Sequence, residues 1–323
     1  MVESRYWLWT AKETAELRTE ELADPGPHQV LVRSRYTAVS PGTEMALFMM
    51  THVGFADPSN RYARYPHRPG YLNAGVVVEA GRNAAGAFAA GTRVFSPSPH
   101  AEYSLVDAVD PLLLPFPENL DGPVSPLCGL LRIGSAAPFM APSAPGESVA
   151  VIGGGLVGNF AAQLYKAAGA EVVLVEKDDF RRAIAGACEL ETLTSLAELP
   201  ARFVGGPRIV VEATGVPRLC VEAMKAAAPR GRVVILSSPR GEALVNFYEQ
   251  IHAKVLTVIG AHARCLTDDA GTLRNVMRLA AEGTLKLAPC LTHVESWDQA
   301  PKVWSTYAAG APGRLGTVLD WTR

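Results

Sequence analysis

Apolar and polar positions divide this chain into three stretches of different rhythm. From Arg5 to about Asn119, short apolar runs are punctuated by Gly and Pro, predicting strands at Tyr6–Trp9, Gln29–Tyr36, Gly75–Ala80, Thr92–Ser96 and Ala101–Val106. Short strands at that spacing indicate a barrel or sandwich. From Pro123 to about Lys286, buried-strand patterns alternate with helical ones, as a parallel, doubly wound α/β sheet requires. Its strands are expected at Val149–Ile152, Glu171–Val175, Glu191–Leu193, Ile209–Ala213, Arg232–Leu236 and Val255–Ile259. The last stretch reverts to strand, helix, strand and ends in Gly316-Thr317-Val318-Leu319-Asp320, a strand expected to return to the first domain. The division predicted is therefore a barrel-like domain (1–119), a doubly wound α/β domain (120–286) and a return segment (287–323).

The second stretch opens on Ser148-Val149-Ala150-Val151-Ile152-Gly153-Gly154-Gly155-Leu156-Val157-Gly158, an apolar run that breaks into glycines. Gly153, Gly155 and Gly158 satisfy G-x-G-x-x-G. The first glycine permits a tight turn, the second lets backbone approach a pyrophosphate, and the third lets helix pack on strand. The diphosphate then meets the free amides and positive dipole of a helix N-terminus, through Leu156 and Val157. Downstream, Val157, Phe160, Leu164 and Ala168 draw one apolar helical face, and Gly169 closes the helix. The next strand delivers Glu176, 18 residues beyond Gly158. A carboxylate there accepts hydrogen bonds from both ribose hydroxyls and repels a 2′-phosphate, which favours NAD. Lys177, Arg181 and Arg182 lie just beyond and could instead hold that phosphate, so NADP stays open. Thr214 and Gly215, after the fourth strand, and Ser237, after the fifth, are expected to line the nicotinamide half of a Rossmann-type crevice.

Composition narrows the setting. With 30 basic and 32 acidic side chains, the net charge of −2 offers no basic field for nucleic acid and no polybasic membrane anchor. The start lacks the pattern of a secretory signal, and no apolar run reaches transmembrane length. Five cysteines (128, 188, 220, 265 and 290) are scattered and never form C-x-x-C. That pattern predicts reduced thiols in a cytoplasm rather than a disulfide framework or a zinc knot.

The order of parts, with four motifs, resembles the medium-chain dehydrogenase/reductase superfamily over essentially the whole chain. Val39-Ser40-Pro41-Gly42-Thr43-Glu44 is similar to its G-x-C-G-T-D segment, and Pro69-Gly70-Tyr71-Leu72-Asn73-Ala74-Gly75 to its P-x-x-G-H-E-x-x-G segment. Gly91-Thr92-Arg93-Val94 is similar to G-D-R-V, and the glycine fingerprint follows. The resemblance implies a GroES-like β-barrel catalytic domain beside the Rossmann-type doubly wound sheet. It also implies a third metal-ligand position at Cys128, 25 residues before Gly153. The S-x-G-T-E form of the first segment, with Pro99-His100, is similar to bacteriochlorophyllide dehydrogenase, a zinc-lacking branch. Sugar- and cyclitol-oxidising relatives share a comparable segment, and the pigment substrate is not carried over.

The departures from the family pattern bear on chemistry. Pro41 stands at the first metal-ligand position and Tyr71 at the second. Proline has no ligating side chain, and a neutral phenol is a poor zinc ligand. The four-cysteine structural lobe is missing as well, so the expectation is an enzyme without zinc. Hydride transfer between a carbinol carbon and nicotinamide develops negative charge on the substrate oxygen, which zinc otherwise stabilises. Here Tyr71 is expected as donor or acid. Thr43, matching the family's first relay position, is expected as orienter, and Glu44 as an acidic residue behind the site. A phenol with a pKa of about 10 can donate to a ketone at neutral pH. Tyr71 could equally be a packed aromatic filling the space of the missing ion. The basic and aromatic residues from His52 to Arg68 suit a planar or carboxylated substrate, or are solvated surface. His67 and His100 are further possible acids.

The leading expectation is a zinc-independent NAD(P)-dependent alcohol/ketone oxidoreductase acting on a small molecule. Alternatives are an NADPH-dependent quinone or activated-alkene reductase, and a non-catalytic dinucleotide-binding protein. An apolar edge strand at Val255–Ile259 needs covering, which, with the family's habit, predicts a homodimer.

Overall fold

The computed structural model describes all 323 residues. They form two compact units, Met1–Gly129 with Leu291–Arg323, and Leu130–Cys290. The strands, in chain order, are β1 (Val2–Ala11), β2 (Thr14–Leu22), β3 (Gln29–Ala38), β4 (Asn73–Ala80), β5 (Arg93–Ser96), β6 (Tyr103–Asp107) and β7 (Leu114–Pro115). The second unit contributes β8 (Ser148–Ile152), β9 (Glu171–Val175), β10 (Glu191–Leu193), β11 (Ile209–Glu212), β12 (Arg232–Ile235) and β13 (Thr257–Gly260). The chain ends with β14 (Leu291–Ser296) and β15 (Gly316–Asp320).

The first unit is built on a largely antiparallel sheet in the order β14-β15-β3-β4-β5-β7, with β6 also on β3. Its centre is β3, which pairs β4 along one edge. The opposite edge is shared, β6 taking residues 29–33 and β15 taking 36–38. The C-terminal strand is thus stitched into the middle of the N-terminal sheet. β1 and β2 form a separate antiparallel ribbon, with Glu13 at φ 54° in its turn. β2 lies outside the predicted strands: its Thr14–Leu22 sequence is half charged and mostly exposed, so it carries little apolar signal. The core under the ribbon is aromatic, with Trp9 and Trp304 meeting edge-on at 5.1 Å and Trp7 and Trp304 at 5.8 Å. Trp304 arrives on the helix Ala300–Ala308.

The first unit extends ten residues past the predicted boundary at 119. A Cβ on Gly129 would stand 2.3 Å from Leu72 and 2.8 Å from the Phe95 ring, so this glycine is packed directly onto the first sheet.

The second unit is a six-stranded, wholly parallel sheet in the order β10-β9-β8-β11-β12-β13. This is the doubly wound order, with the reversal between β8 and β11. Residues 149–152 and 209–211 are buried without interruption, as strands covered on both faces must be. The helix Leu156–Ala167 forms where expected and closes on Gly169 at φ +85°. Its predicted apolar face is corrected: Ala168 is exposed, and burial runs unbroken from Gly158 to Gln163. Small residues explain the difference, because Gly158, Ala161 and Ala162 let neighbouring backbone close around the helix.

Candidate active site

The first candidate residues gather at the start of the helix Pro41–Phe48. Pro41 at the first helical position is favourable, since its missing N–H would be unsatisfied there anyway. Ser40 caps the helix in an extended conformation but makes no side-chain cap bond, which leaves its hydroxyl for another partner. That partner is Tyr71, whose phenol donates to Ser40 Oγ at 2.7 Å. Thr43 Oγ1 is further from the phenol, at 3.5 Å. Tyr71 and Thr43 are therefore brought together, but Ser40 is the closer hydroxyl. No role had been assigned to Ser40 from sequence; the only signal was a hydroxyl next to a proline at a helix start.

Behind this pair lies a buried polar chain. Glu44, 2% exposed, accepts from the Ser40 amide at 2.7 Å through one carboxylate oxygen. Its other oxygen accepts from Trp304 Nε1 at 3.1 Å and faces His100 Nε2 at 3.2 Å. His100 Nδ1 lies 2.7 Å from Thr37 Oγ1, which accepts from Trp321 Nε1 at 2.9 Å. One proton arrangement satisfies every link: the indole of Trp321 donates to Thr37, Thr37 to Nδ1, and Nε2–H to Glu44. Glu44 is thus committed to the Ser40 amide, Trp304 and His100. His100, fully buried, is a member of this chain and not an exposed acid. It also shapes the turn before Tyr71. Gly70 sits at φ +93°, and a Cβ there would lie 2.7 Å from the His100 amide and 2.8 Å from its ring.

His67 stacks on Trp9 with ring centroids 5.6 Å apart, and burial holds its pKa below the usual imidazole value. In the loop from 52 to 68, His52 and Tyr62 meet edge-on at 5.9 Å, and Arg68 is committed to Glu20 at 2.7 Å.

The donor set does not fit a zinc ion of the family's kind. Of its three positions, Pro41 has no donor and Tyr71 is engaged with Ser40. Cys128 is fully buried, and burial pushes its thiol well above the usual range, away from the thiolate that zinc needs. Elsewhere, no group of three His, Cys, Asp or Glu side chains is arranged to hold a metal.

The second set of candidates lies in the second unit, and its backbone fits a dinucleotide. Gly153, at φ +105°, makes a turn forbidden to most side chains, and its Cβ would meet Thr214 at 2.7 Å. Gly158 must be glycine, since a Cβ would stand 2.1 Å from the Gly153 carbonyl oxygen. Gly155, at the helix N-cap, has no side-chain cap and open space where its Cβ would be. That space, in front of free amides, is a cradle for a diphosphate.

Glu176 follows β9 and is largely buried. It accepts from the Gly154 amide at 2.8 Å and from the Asp178 amide at 3.0 Å, so it braces the glycine turn as well as ending the strand. Arg181 approaches it at 3.9 Å, while Lys177 is exposed. Arg182 bonds backbone carbonyls of Glu176 and Lys177.

At the ends of β11 and β12, Thr214, Gly215 and Ser237 are organised by Glu212. This carboxylate, fully buried, accepts from the Thr214 amide at 2.6 Å and the Gly215 amide at 3.2 Å. It also accepts from the hydroxyls of Thr214 and Ser237. Those hydroxyls are therefore already donating within the protein, and only their lone pairs remain for a ligand. The sequence signal for this role is a carboxylate directly after Ile209-Val210-Val211, at the end of an otherwise apolar strand.

Residues 157–282, most of the second unit, match the family model for zinc-binding dehydrogenases. An L-threonine 3-dehydrogenase of Pyrococcus abyssi is 26% identical over 94% of this chain and 95% of its own. A zinc-binding dehydrogenase of Sinorhizobium meliloti 1021, solved with NADP, superposes with a TM-score of 0.84 at 23% identity, covering 99% of this chain and all of the other. These likenesses extend over nearly the whole chain and show a shared fold. A 2R,3R-butanediol dehydrogenase of Bacillus subtilis has the same fold at a TM-score of 0.84 and 19% identity, covering 98% of this chain and 99% of the other. No helix is long and apolar enough to cross a membrane.

Proposed function

We propose that this chain is a zinc-independent, NAD(P)-dependent oxidoreductase that interconverts a secondary alcohol and a ketone on a small metabolite. The observation that carries the reading is the Tyr71–Ser40 hydrogen bond at 2.7 Å, formed at a position where zinc-dependent members of the family hold an ion. The threonine and butanediol dehydrogenases to which the chain is similar are named for alcohol substrates, in keeping with that chemistry.

The glycine turn, the N-terminus of the helix Leu156–Ala167, Glu176 and the Thr214–Gly215 turn would hold the dinucleotide. When bound, it supplies or accepts a hydride. Glu176 favours NAD, because a carboxylate bonded to two amides is a poor neighbour for a 2′-phosphate.

Tyr71 provides the proton. With substrate bound, its O–H turns from Ser40 Oγ to the carbonyl oxygen of the substrate and, as negative charge grows there, gives that proton up. Ser40 Oγ is placed to return a proton to Tyr71, and Thr43 limits the orientation of the phenol. Glu44 fixes Ser40 by gripping its amide, with His100 and Trp304 holding the carboxylate in turn. A positioned acid of this kind is worth about 10²–10⁴-fold in rate. The same reading includes a cytoplasmic homodimer paired through β13, an edge strand whose Val258 is 36% exposed.

The test is turnover of reduced nicotinamide with a panel of ketones and activated alkenes, using Tyr71→Phe and Ser40→Ala beside the parent chain. Tyr71→Phe is expected to lower kcat by about 10²–10⁴-fold with the dinucleotide Kd unchanged. Unaltered kcat on a validated ketone, or turnover confined to alkenes, would overturn the reading.

A further inference from the structure

Five cysteines are dispersed in the sequence, and all are free thiols. Folding separates three of them chemically. Burial pushes up the Cys128 and Cys265 thiols, and burial beside Glu212 pushes Cys220 up to about 11. Cys188 and Cys290 differ. They are 102 residues apart in sequence, yet their sulfurs stand 3.7 Å from each other. Cys188 caps the C-terminal end of the helix Asp179–Ala187. Cys290 ends a single turn, Ala288–Cys290. Both are buried in the second unit, with Cys188 at 3% exposure and Cys290 at none.

We propose that Cys188 and Cys290 are a dithiol oxidised by hydroperoxides to an intramolecular disulfide. The sulfurs are already in van der Waals contact at 3.7 Å, and a disulfide requires about 2.05 Å, so each sulfur would have to move by less than about 1 Å. The two thiols also have distinct roles. Cys290 donates a hydrogen bond that holds Cys188 below the usual thiol range, while Cys290 itself is pushed up by the same contact. Asn159 adds to the effect on Cys188, and its Oδ1 faces Cys290 Sγ at 3.6 Å. Cys188, 3% exposed against none for Cys290, is therefore the sulfur that a hydroperoxide reaches first.

The steps balance as follows. The Cys188 thiolate attacks one peroxide oxygen, the O–O bond breaks, and the departing hydroxide or alkoxide takes up a proton. Cys188 is left as a sulfenic acid. Cys290 sulfur then attacks the sulfenic sulfur, and water leaves with the Cys290 proton. Two thiols are oxidised by two electrons and one hydroperoxide is reduced. The three remaining cysteines take no part. The low exposure of Cys188 makes the reaction slower than at a surface thiol, which sets an exposure of minutes to hours for the test.

Trypsin isolates each partner on its own peptide, residues 183–202 carrying Cys188 and 287–302 carrying Cys290, with no other cysteine in either. The folded, full-length protein is treated with hydrogen peroxide, alkylated under denaturing conditions and mapped without reductant. The expected result is a linked pair of these two peptides as the main oxidised species, reversed by dithiothreitol, with Cys128, Cys220 and Cys265 still alkylated. In a Cys290→Ser variant, Cys188 is expected to stop at a sulfenic acid that dimedone traps, with no such adduct in the parent. Recovery of both peptides unlinked overturns the proposal, as does Cys188 oxidised to sulfinic acid in the parent without linkage. Links to Cys265 in equal yield would also overturn it, because they would show that the native pairing is not what directs the bond.

Discussion

Replacing Glu44 with Gln changes one oxygen to an amide nitrogen, and the structure fixes what that costs. The carboxylate accepts from the Ser40 amide through one oxygen and faces Trp304 Nε1 and His100 Nε2 with the other. At 2% exposure, no water can substitute. A glutamine can keep its oxygen toward two of these donors only by turning its NH₂ toward the third. In the better orientation, oxygen serves Trp304 and His100, and the Ser40 amide is left facing another donor. One charge-assisted bond is lost and one buried donor orphaned, together about 2–4 kcal/mol. For a unit of roughly 160 residues, each kcal/mol lowers Tm by about 2–4 °C, so a loss near 3 kcal/mol predicts a fall of about 6–12 °C. The assay is thermal unfolding by circular dichroism at neutral pH, with Thr43→Ala, outside the buried chain, as the reference. If Glu44→Gln unfolds within 2 °C of the parent, the hydrogen bonds to this carboxylate do not carry the weight assigned to them and the reasoning is refuted.

Two further outcomes follow from single features. Gly155→Ala meets nothing within 4 Å and keeps an allowed backbone, at φ −65°, so the variant is expected to fold with nearly the parent Tm. Its methyl fills the diphosphate cradle, so the dinucleotide Kd measured by calorimetry is expected to rise at least ~10-fold, about 1.4 kcal/mol; unchanged affinity would refute the cradle. Stability is expected to depend on pH through His67, His262 and His293, each held below the usual imidazole value chiefly by burial. Below the ordinary imidazole value of 6.5 the unfolded chain takes up protons that the folded chain refuses, so stability is full above 6.5 and declines between 6.5 and the lower folded values. A Tm that stays level or rises from pH 7 to pH 5.5 would contradict this.

How much of the molecule was visible in its sequence depends on how locally each feature is encoded. The parallel strands were legible because uninterrupted runs such as Val149–Ile152 and Ile209–Val211 are what a sheet covered on both faces requires. β2 was not, since a ribbon strand with one polar face and little burial has no such run. The helix after the fingerprint was legible, but its buried face was not: small residues, rather than a stripe of large ones, decide which sides can be covered. The glycine turn was fully local. The contact of Tyr71 with Ser40, 31 residues apart, depends on where Gly70 and His100 set the second turn, and no sequence period contains that. Glu212 and the Cys188–Cys290 pair were hidden for the same reason, since their meaning lies in partners that only folding supplies.

If side chains deliver the proton without zinc, as proposed, the most direct measurement is zinc content against turnover on the same sample. The protein would be purified without added metal, dialysed against a strong chelator, assayed for zinc by plasma mass spectrometry and tested for NADH-dependent reduction of a validated ketone. Full turnover with zinc far below one ion per chain is the predicted result. Stoichiometric zinc, with activity lost on chelation and restored by zinc alone, would contradict it.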